Sequence, residues 1–378
     1  MKICMAAPYD IKDRLSWSGT PLSLYSALSD FSENEVTTLK LSDYHTQINT
    51  KINMLSHCDV KNSIKNRALT SKLGPSVMNP LNSKILRKHC NKNDYDALIE
   101  FGGFQPSDNL PPYYVYTDAS HDLALDYYNQ YGYLPFGSEN NSVKSVKRAA
   151  DYVRKIYQNA QGVLCMSQWL ADSMINTTGV DPKKVHAVYA GANWHGVNLP
   201  DNIKSKNIAG NNEIHLVLTG VSYERKGVDL AIKANEILNN NSDKKFYLHI
   251  CGIKTEFEHD EFVINHGFVN KQQLIEILNK CDLFVLPSRF DCFGISFVEA
   301  MTFGLPCIGR KICAMPEIID EGINGELISK DDPKELADLI SKICLNESLY
   351  ASYSENAIKK AKKFTWENVA QNIMNILR

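Results

Sequence analysis

Asp282-Leu-Phe-Val-Leu-Pro-Ser-Arg-Phe-Asp-Cys-Phe-Gly-Ile-Ser-Phe-Val-Glu-Ala-Met-Thr-Phe-Gly304 decides the fold. The apolar run 283–286 is too short for a helix and is closed by Pro287-Ser288, so a buried strand is predicted. Beyond the loop 289–294, Ile295, Val298, Ala300 and Met301 recur at helical spacing. A strand, a glycine-bearing loop and a helix start are how an open α/β sheet builds an anion site, because backbone N–H groups and the helix dipole meet there. Asp291 lies in the loop and Glu299 in about the second helical turn. Helical side chains lean toward the N-terminus, so Glu299 reaches back to the same crevice. Two carboxylates beside a phosphate site require a ligand that also offers hydroxyl donors. A nucleotide sugar does: its diphosphate suits the helix end, and its ribose and hexose suit the carboxylates.

A second strand–loop–helix lies upstream, Leu218-Thr-Gly-Val-Ser-Tyr-Glu-Arg-Lys-Gly-Val-Asp-Leu-Ala-Ile-Lys-Ala234. With the first stretch it resembles the two motifs of retaining glycosyltransferases of the GT-B fold, family 4, in the order and at about the distance found there. The likeness is clear over 213–330 and thinner toward the N-terminus. It implies an α/β protein of two Rossmann-like domains whose parallel sheets face across a deep interdomain cleft. The expected division is an acceptor-binding domain over 1–197, a linker over 198–212 and a nucleotide-sugar-binding domain over 213–363. A terminal helix over 364–378 is expected to cross back to the first domain.

Composition agrees with a globular enzyme. At 378 residues, 44% hydrophobic and 22% charged, the chain has enough apolar residues for two cores. A net charge of −2 gives no field for nucleic acid. Ten cysteines without a C-x-x-C pair read as reduced thiols of a cytoplasmic protein, not as a disulfide framework or zinc site. The apolar start at 3–7 ends in Pro8-Tyr9-Asp10 and reads as a first buried strand instead of a signal peptide. No run approaches the length needed to span a bilayer, so a soluble or peripheral protein is expected.

Further strands are expected at 97–100, 113–116, 162–166, 185–189, 214–218, 246–250, 263–269 and 306–308. Trp17-Ser-Gly-Thr-Pro21 resembles the family's glycine loop facing the donor phosphates, which places Gly19 against the donor; alone it is a turn before a helix. Lys61, Lys65, Arg67, Lys72, Lys84, Arg87, Lys88 and Lys92 form an acid-free basic segment over 61–92. It suits an anionic membrane surface, at about 1 kcal/mol per cation, or equally a solvated face. Asp94-Tyr-Asp96 leads into a strand and lacks a third ligand nearby, so no metal is read from it. Thr117-Asp-Ala-Ser-His-Asp122 ends a strand where α/β sheets bind ligands, making Asp118 and His121 candidates for orienting substrate, with an ordinary loop or cap role open for His121. Tyr127, Tyr128, Tyr131, Tyr133 and Phe136 either line an acceptor site or pack.

The chemistry follows from the resemblance. Arg225 and Lys226 stand at a helix start and meet the charge developing on the departing diphosphate. This chain has Val221 where most of the family carries an arginine, which shifts that task to Arg225. Asp291, one methylene shorter than the usual glutamate, holds the hexose hydroxyls with the backbone amides of Phe293 and Gly294, Glu299 takes the ribose, and Cys292 and Ile295 are further donor contacts. Donor contacts are also implied at Gly220, Gly267 and Phe268. Plainer roles stay open: Asp291 as a helix cap, Glu299 in an internal ion pair, Arg225-Lys226 as a solvated pair. The implied activity is metal-independent, retaining hexosyl transfer from GDP-mannose or a UDP-hexose to a glycan or lipid-linked acceptor in polysaccharide synthesis. The alternatives are a non-catalytic nucleotide-sugar-binding partner and a UDP-sugar 2-epimerase.

Overall fold

The alternating apolar runs become two six-stranded, wholly parallel sheets. The computed structural model describes residues 1–44, 75–101, 110–135, 141–200, 203–254, 256, 257 and 260–378, with side chains from 82 onward in the helix that begins at 75. The chain divides into one unit of Met1–Tyr189 with Val369–Arg378, and a second of Ala190–Asn368.

The first unit runs β1 (Lys2–Ala7), α1 (Thr20–Ser29), β2 (Glu35–Lys40), α2 (Pro75–His89), β3 (Ala97–Glu100), β4 (Tyr113–Thr117), α3 (His121–Tyr131), α4 (Val143–Asn159), β5 (Gly162–Cys165), α5 (Gln168–Asn176) and β6 (Val185–Ala187). Its sheet order, β2-β1-β3-β4-β5-β6, reverses between β1 and β3. Ser120, Ser142 and Ser167 cap α3, α4 and α5 by accepting the N–H groups of Leu123, Ser145 and Leu170. The inner strands are buried on both faces, as parallel strands covered by helices must be.

The second unit runs β7 (Glu213–Thr219), α6 (Val228–Asn241), β8 (Lys245–Cys251), β9 (Val263–Gly267), α7 (Lys271–Lys280), β10 (Leu283–Val285), α8 (Ile295–Thr302), β11 (Cys307–Arg310), α9 (Met315–Ile318), β12 (Gly325–Ile328), α10 (Pro333–Cys344) and α11 (Glu347–Ala361). The helix α12 (Trp366–Leu377) ends the chain. The order β12-β11-β10-β7-β8-β9 is doubly wound, with its switch point between β7 and β10. Ligands of such sheets bind outside the strands' carboxyl ends at that point. Both quoted motifs end there.

Five elements differ from expectation, among them β6, which ends at Ala187 instead of 189. Strand β9 stops at Gly267, because Asn270 caps α7 in a reciprocal capping box with Gln273. Strand β2 was not expected: it is an edge, half-exposed strand whose Val-Thr-Thr pattern lacks an apolar run. Strand β12 hides behind a buried acid, Glu326, which accepts from Lys342 Nζ and Tyr353 Oη at 2.6 Å each. Helix α11 carries its buried stripe on Tyr350, Tyr353, Ser354 and Ala357, only partly apolar.

The basic segment is described only in part. Lys61, Lys65, Arg67 and Lys72 lie outside the described residues, as do Cys58 and Phe136. Lys84, Arg87 and Lys88 are exposed on α2, while Ile85 and Leu86 enter the unit's core. Arg87, Lys88 and His89 close the last turn of α2, where cations complement the dipole. Asp96 accepts from Lys2 N at 2.7 Å, tying β1 to the turn before β3.

Candidate functional site

At the second unit's switch point the loop after β7 and the loop after β10 are stitched together. Arg289 N donates to Arg225 O at 2.8 Å, and Arg225 Nη1 returns a bond to Phe290 O at 3.2 Å. Arg289 forks onto both oxygens of Asp229 at 2.8 and 2.7 Å, and its Nε reaches Asp331 at 2.6 Å. Arg310 binds Asp331 and the carbonyls of Ser288 and Pro287. This lattice sets the two loops in register. It brings Lys226 Nζ to 2.5 Å from Asp291 Oδ2. Lys226 is only 7% exposed, and its methylenes lie where a Cβ on Gly220 would sit, 2.5 Å from Lys226 Cγ.

Both helices that follow start on glycine. Gly227 (φ 68°) and Gly294 (φ 77°) are the N-caps of α6 and α8, left-handed and without a side-chain cap. A Cβ on Gly227 would lie 2.6 Å from Pro287 O, and one on Gly294 2.7 Å from Met315 Cε. Two helix starts thus approach the loops with backbone alone. Asp291 does not cap α8; Gly294 does, and Asp291 is turned to Lys226.

Residues 200–360 match the family model of glycosyl transferases group 1. The matched residues all lie in the second unit. An uncharacterized glycosyltransferase of Methanocaldococcus jannaschii is 30% identical over 42% of this chain and 46% of its own length. Matches to three curated relatives span 46%, 55% and 60% of their lengths. Among solved structures, HepE of Anabaena in complex with UDP-glucose is 16% identical with a TM-score of 0.62, covering 99% of this chain and 98% of that one. WaaG, a glycosyltransferase involved in lipopolysaccharide biosynthesis, is 15% identical with a TM-score of 0.64, covering 100% and 99%. The likeness runs through both units, and the fold is GT-B.

Within the second unit, Glu299 takes a different partner from Lys226. It is 6% exposed and pairs with Lys271 at the start of α7. Lys271 also stands over the Trp194 ring, 5.0 Å from its centroid, and Trp194 Nε1 donates to Thr302 Oγ1 at 3.3 Å. The two carboxylates therefore carry separate cations, Lys226 for Asp291 and Lys271 for Glu299. Phe293 is buried against Phe364, Cys292 and Ile295 are half-buried, and Gly267 O accepts from Gly252 N at 2.6 Å. Phe268 is 60% exposed beneath Lys254.

In the first unit the equivalent reversal lies beside the loop after β1. Trp17 (φ 44°) and Ser18 (φ 56°) are consecutive left-handed residues before Gly19, the N-cap of α1. Non-glycine residues hold such angles only where their surroundings over-determine them. Trp17 packs edge-on against Phe101 and Tyr116, both 6.0 Å away, and its Nε1 donates to Asp118 Oδ2 at 3.3 Å. Burial and then Asp118 push the Tyr9 hydroxyl's pKa up. His121 is the first residue of α3, capped by Ser120, and burial holds its pKa below the usual value against the pull of Asp122. Tyr127 packs on Tyr131 and Tyr133, residues that stay 44% and 51% exposed.

Sequence reading missed Trp17, Lys271 and Arg289. Arg289 sits inside the quoted stretch, but Asp229, its partner, is 60 residues away, and no local pattern announces such a pairing.

Proposed function

We propose that the chain moves a hexose from a nucleotide sugar, GDP-mannose or a UDP-hexose, to a glycan or lipid-linked acceptor, with retention at the anomeric carbon. We place the reaction in the synthesis of a cell-surface polysaccharide. The observation that carries this reading is the meeting of Lys226 and Asp291 between two glycine-capped helix starts. One spot then offers a cation for a diphosphate and a carboxylate for hydroxyls.

In this reading the donor redistributes the pair: the diphosphate engages Lys226 and the hexose hydroxyls donate to Asp291. The bond from the anomeric carbon to the β-phosphate oxygen breaks, and the acceptor oxygen enters on the same face while its proton leaves to the departing phosphate. Lys226 and Arg225 stabilise the charge that develops, commonly the largest catalytic term. Glu299 accepts from the ribose, and Lys271 orients its carboxylate. In the first unit, Asp118 and His121 orient the acceptor or hexose. These cations carry the diphosphate charge, so the reaction is metal-independent. Support comes from the family model matched in the second unit, from the likeness to a protein solved with UDP-glucose, and from the likeness to a lipopolysaccharide glycosyltransferase. Among the described residues no helix is long and apolar enough to cross a membrane. The exposed Lys84, Arg87 and Lys88 suit attachment to an anionic surface.

The test is release of nucleoside diphosphate from GDP-mannose, UDP-glucose and UDP-N-acetylglucosamine, with and without extracted surface polysaccharide or its lipid-linked precursor, in EDTA. One donor should turn over faster with acceptor, and proton NMR should report the donor's anomeric configuration in the product. An inverted product, or no acceptor-dependent release, overturns the reading. A second reading, a binding partner without turnover, draws on Val221, 69% exposed where most of the family carries an arginine. It would bind a nucleotide sugar and release nothing.

A further inference from the structure

A carboxylate at the end of a strand has no direction of its own. The terminal torsion of an aspartate is broad, so its oxygens face a substrate in one fixed way only when a neighbour holds them. In the first unit Asp118 follows β4 directly, and the backbone of its turn is tied down. Thr117 Oγ1 donates to Ala119 O at 2.7 Å, and Ser120 caps α3. The side chain is held from a loop 101 residues away, where Trp17 Nε1 donates to Asp118 Oδ2 at 3.3 Å.

The indole is fixed in its turn. It packs edge-on against Phe101 and Tyr116, which are 1% and 0% exposed. The Tyr116 hydroxyl donates to Tyr189 O at 2.9 Å, and Phe101 N donates to Ala6 O at 3.0 Å, so the seat of the ring is part of the sheet. An indole nitrogen only donates, so the sense of its bond to Asp118 is settled.

The chain accepts strain to place this ring. Trp17 (φ 44°, ψ 49°) and Ser18 (φ 56°, ψ 21°) are left-handed in succession, with Gly19 (φ 85°) after them. Glycine adopts such angles without steric cost, as it does at 19. A tryptophan at 17 keeps the strain and delivers an N–H group. Sparsely populated backbone of this kind gathers at functional sites. We infer that Trp17 is a positioning residue: its indole N–H fixes the Asp118 carboxylate in the orientation that meets substrate. The inference rests on the nucleotide-sugar reading above, in which Asp118 orients the acceptor or hexose. The bond is longer than the usual N–H range, and catalytic hydrogen bonds commonly tighten when substrate arrives.

Trp17→Phe removes the N–H and keeps a ring against Phe101 and Tyr116. The assay is release of nucleoside diphosphate from GDP-mannose, UDP-glucose and UDP-N-acetylglucosamine with extracted surface polysaccharide. For the donor that turns over, kcat/KM should fall about ten- to a hundredfold in Trp17→Phe, as it does when a reacting group is displaced by up to about 1 Å. Asp118→Ala has no carboxylate to hold, so adding Trp17→Phe to it should change kcat/KM by less than about twofold. A ring needed only for packing would cost the same factor in both backgrounds. Proton–nitrogen NMR gives a readout without turnover. The indole signal missing from Trp17→Phe should move upfield in Asp118→Ala, while those of Trp169, Trp194 and Trp366 stay in place. Unchanged turnover in Trp17→Phe, an equal loss with and without Asp118, or a Trp17 signal indifferent to Asp118→Ala overturns the inference and leaves the nucleotide-sugar reading standing. A wild type that releases no diphosphate from any of the three donors removes both.

Discussion

Lys226 is a lysine with little solvent and one carboxylate, a combination that costs desolvation and persists only with a well-placed partner. If it meets the departing diphosphate, Lys226→Met should lower kcat by about 10²–10³, the usual cost of losing one preorganised charge-stabilising donor. KM for the donor should rise much less, and single-turnover assays separate the two. Arg225→Ala should cost a similar factor, because Val221 leaves that loop without the family's other arginine; unchanged turnover would remove Arg225 from the chemistry. Arg289 has a different job. It joins Asp229 and Asp331, and burial acts against its charge less than those two carboxylates favour it, so its pKa stays raised. Arg289→Lys keeps the charge and loses the fork. Charged hydrogen bonds contribute roughly 1.5–3 kcal/mol each, and the solvent-facing side of this lattice lies at the low end. Urea denaturation should report a loss of about 1–2 kcal/mol, with donor KM raised as the loops lose register.

The helix starts were legible because their signal is local: apolar spacing, a glycine and a preceding strand all lie within about twenty residues. At Gly294 that reading gains an energy. A side chain there adopts the left-handed region, at about 1–2 kcal/mol, and must displace Met315, so Gly294→Ala should destabilise by at least that much in chemical denaturation. A loss below about 0.5 kcal/mol would mean that α8 can start elsewhere. The histidines of the sheet were not legible. His215 on β7, His249 on β8 and His266 on β9 form a chain of ring-nitrogen contacts at 3.0 and 2.9 Å, which depends on strand order and register and on nothing nearby in sequence. Burial first, then His266 and His215, bring the His249 pKa down to about 4. Asp282, whose carboxylate accepts from His215 N, and Lys206 beside it lie at the inner, β7 end of this chain, and Tyr247 stacks on His215. Because the folded value lies below the ordinary value near 6.5, the unfolded chain takes up this proton first as pH falls. The contribution is intact above about pH 6.5, is lost progressively toward pH 4 and changes no further below that. The drop in Tm between pH 7 and 4.5 should therefore be smaller in His249→Gln than in wild type. An unchanged or steeper drop would show that His249 does not stay neutral in the fold.

At the scale of the whole chain, the doubly wound order of each unit follows from alternating strands and helices, which a sequence displays. Strands β2 and β12 do not, because β2 is half-exposed without an apolar run and the buried run of β12 is interrupted by an acid, Glu326. The last ten residues show how little sequence position says about which core a segment serves. Val369–Arg378 belongs to the first unit, 180 residues beyond the rest of it at Tyr189. Val369, Ile373 and Met374 are at most 2% exposed. Asn34 Nδ2 lies 3.2 Å from Met374 Sδ, and Arg378 pairs with Glu33 at 2.7 Å. Burying each of those three side chains is worth about 1.5–3 kcal/mol, so removing the segment should cost roughly 5–9 kcal/mol. That is comparable with the whole stability of a domain, about 5–15 kcal/mol. Trp366, whose Nε1 donates to Asn193 at 3.0 Å, stays with the second unit. A chain ending at Asn368 should therefore lose amide protection across β1–β6 while β7–β12 exchange slowly, as hydrogen exchange with mass spectrometry can follow. GDP or UDP binding to the truncated chain should persist, because Lys226, Asp291 and Glu299 all lie in the unit left intact. Equal loss of protection in both sheets would mean that the ten residues hold up more than the core they are buried in.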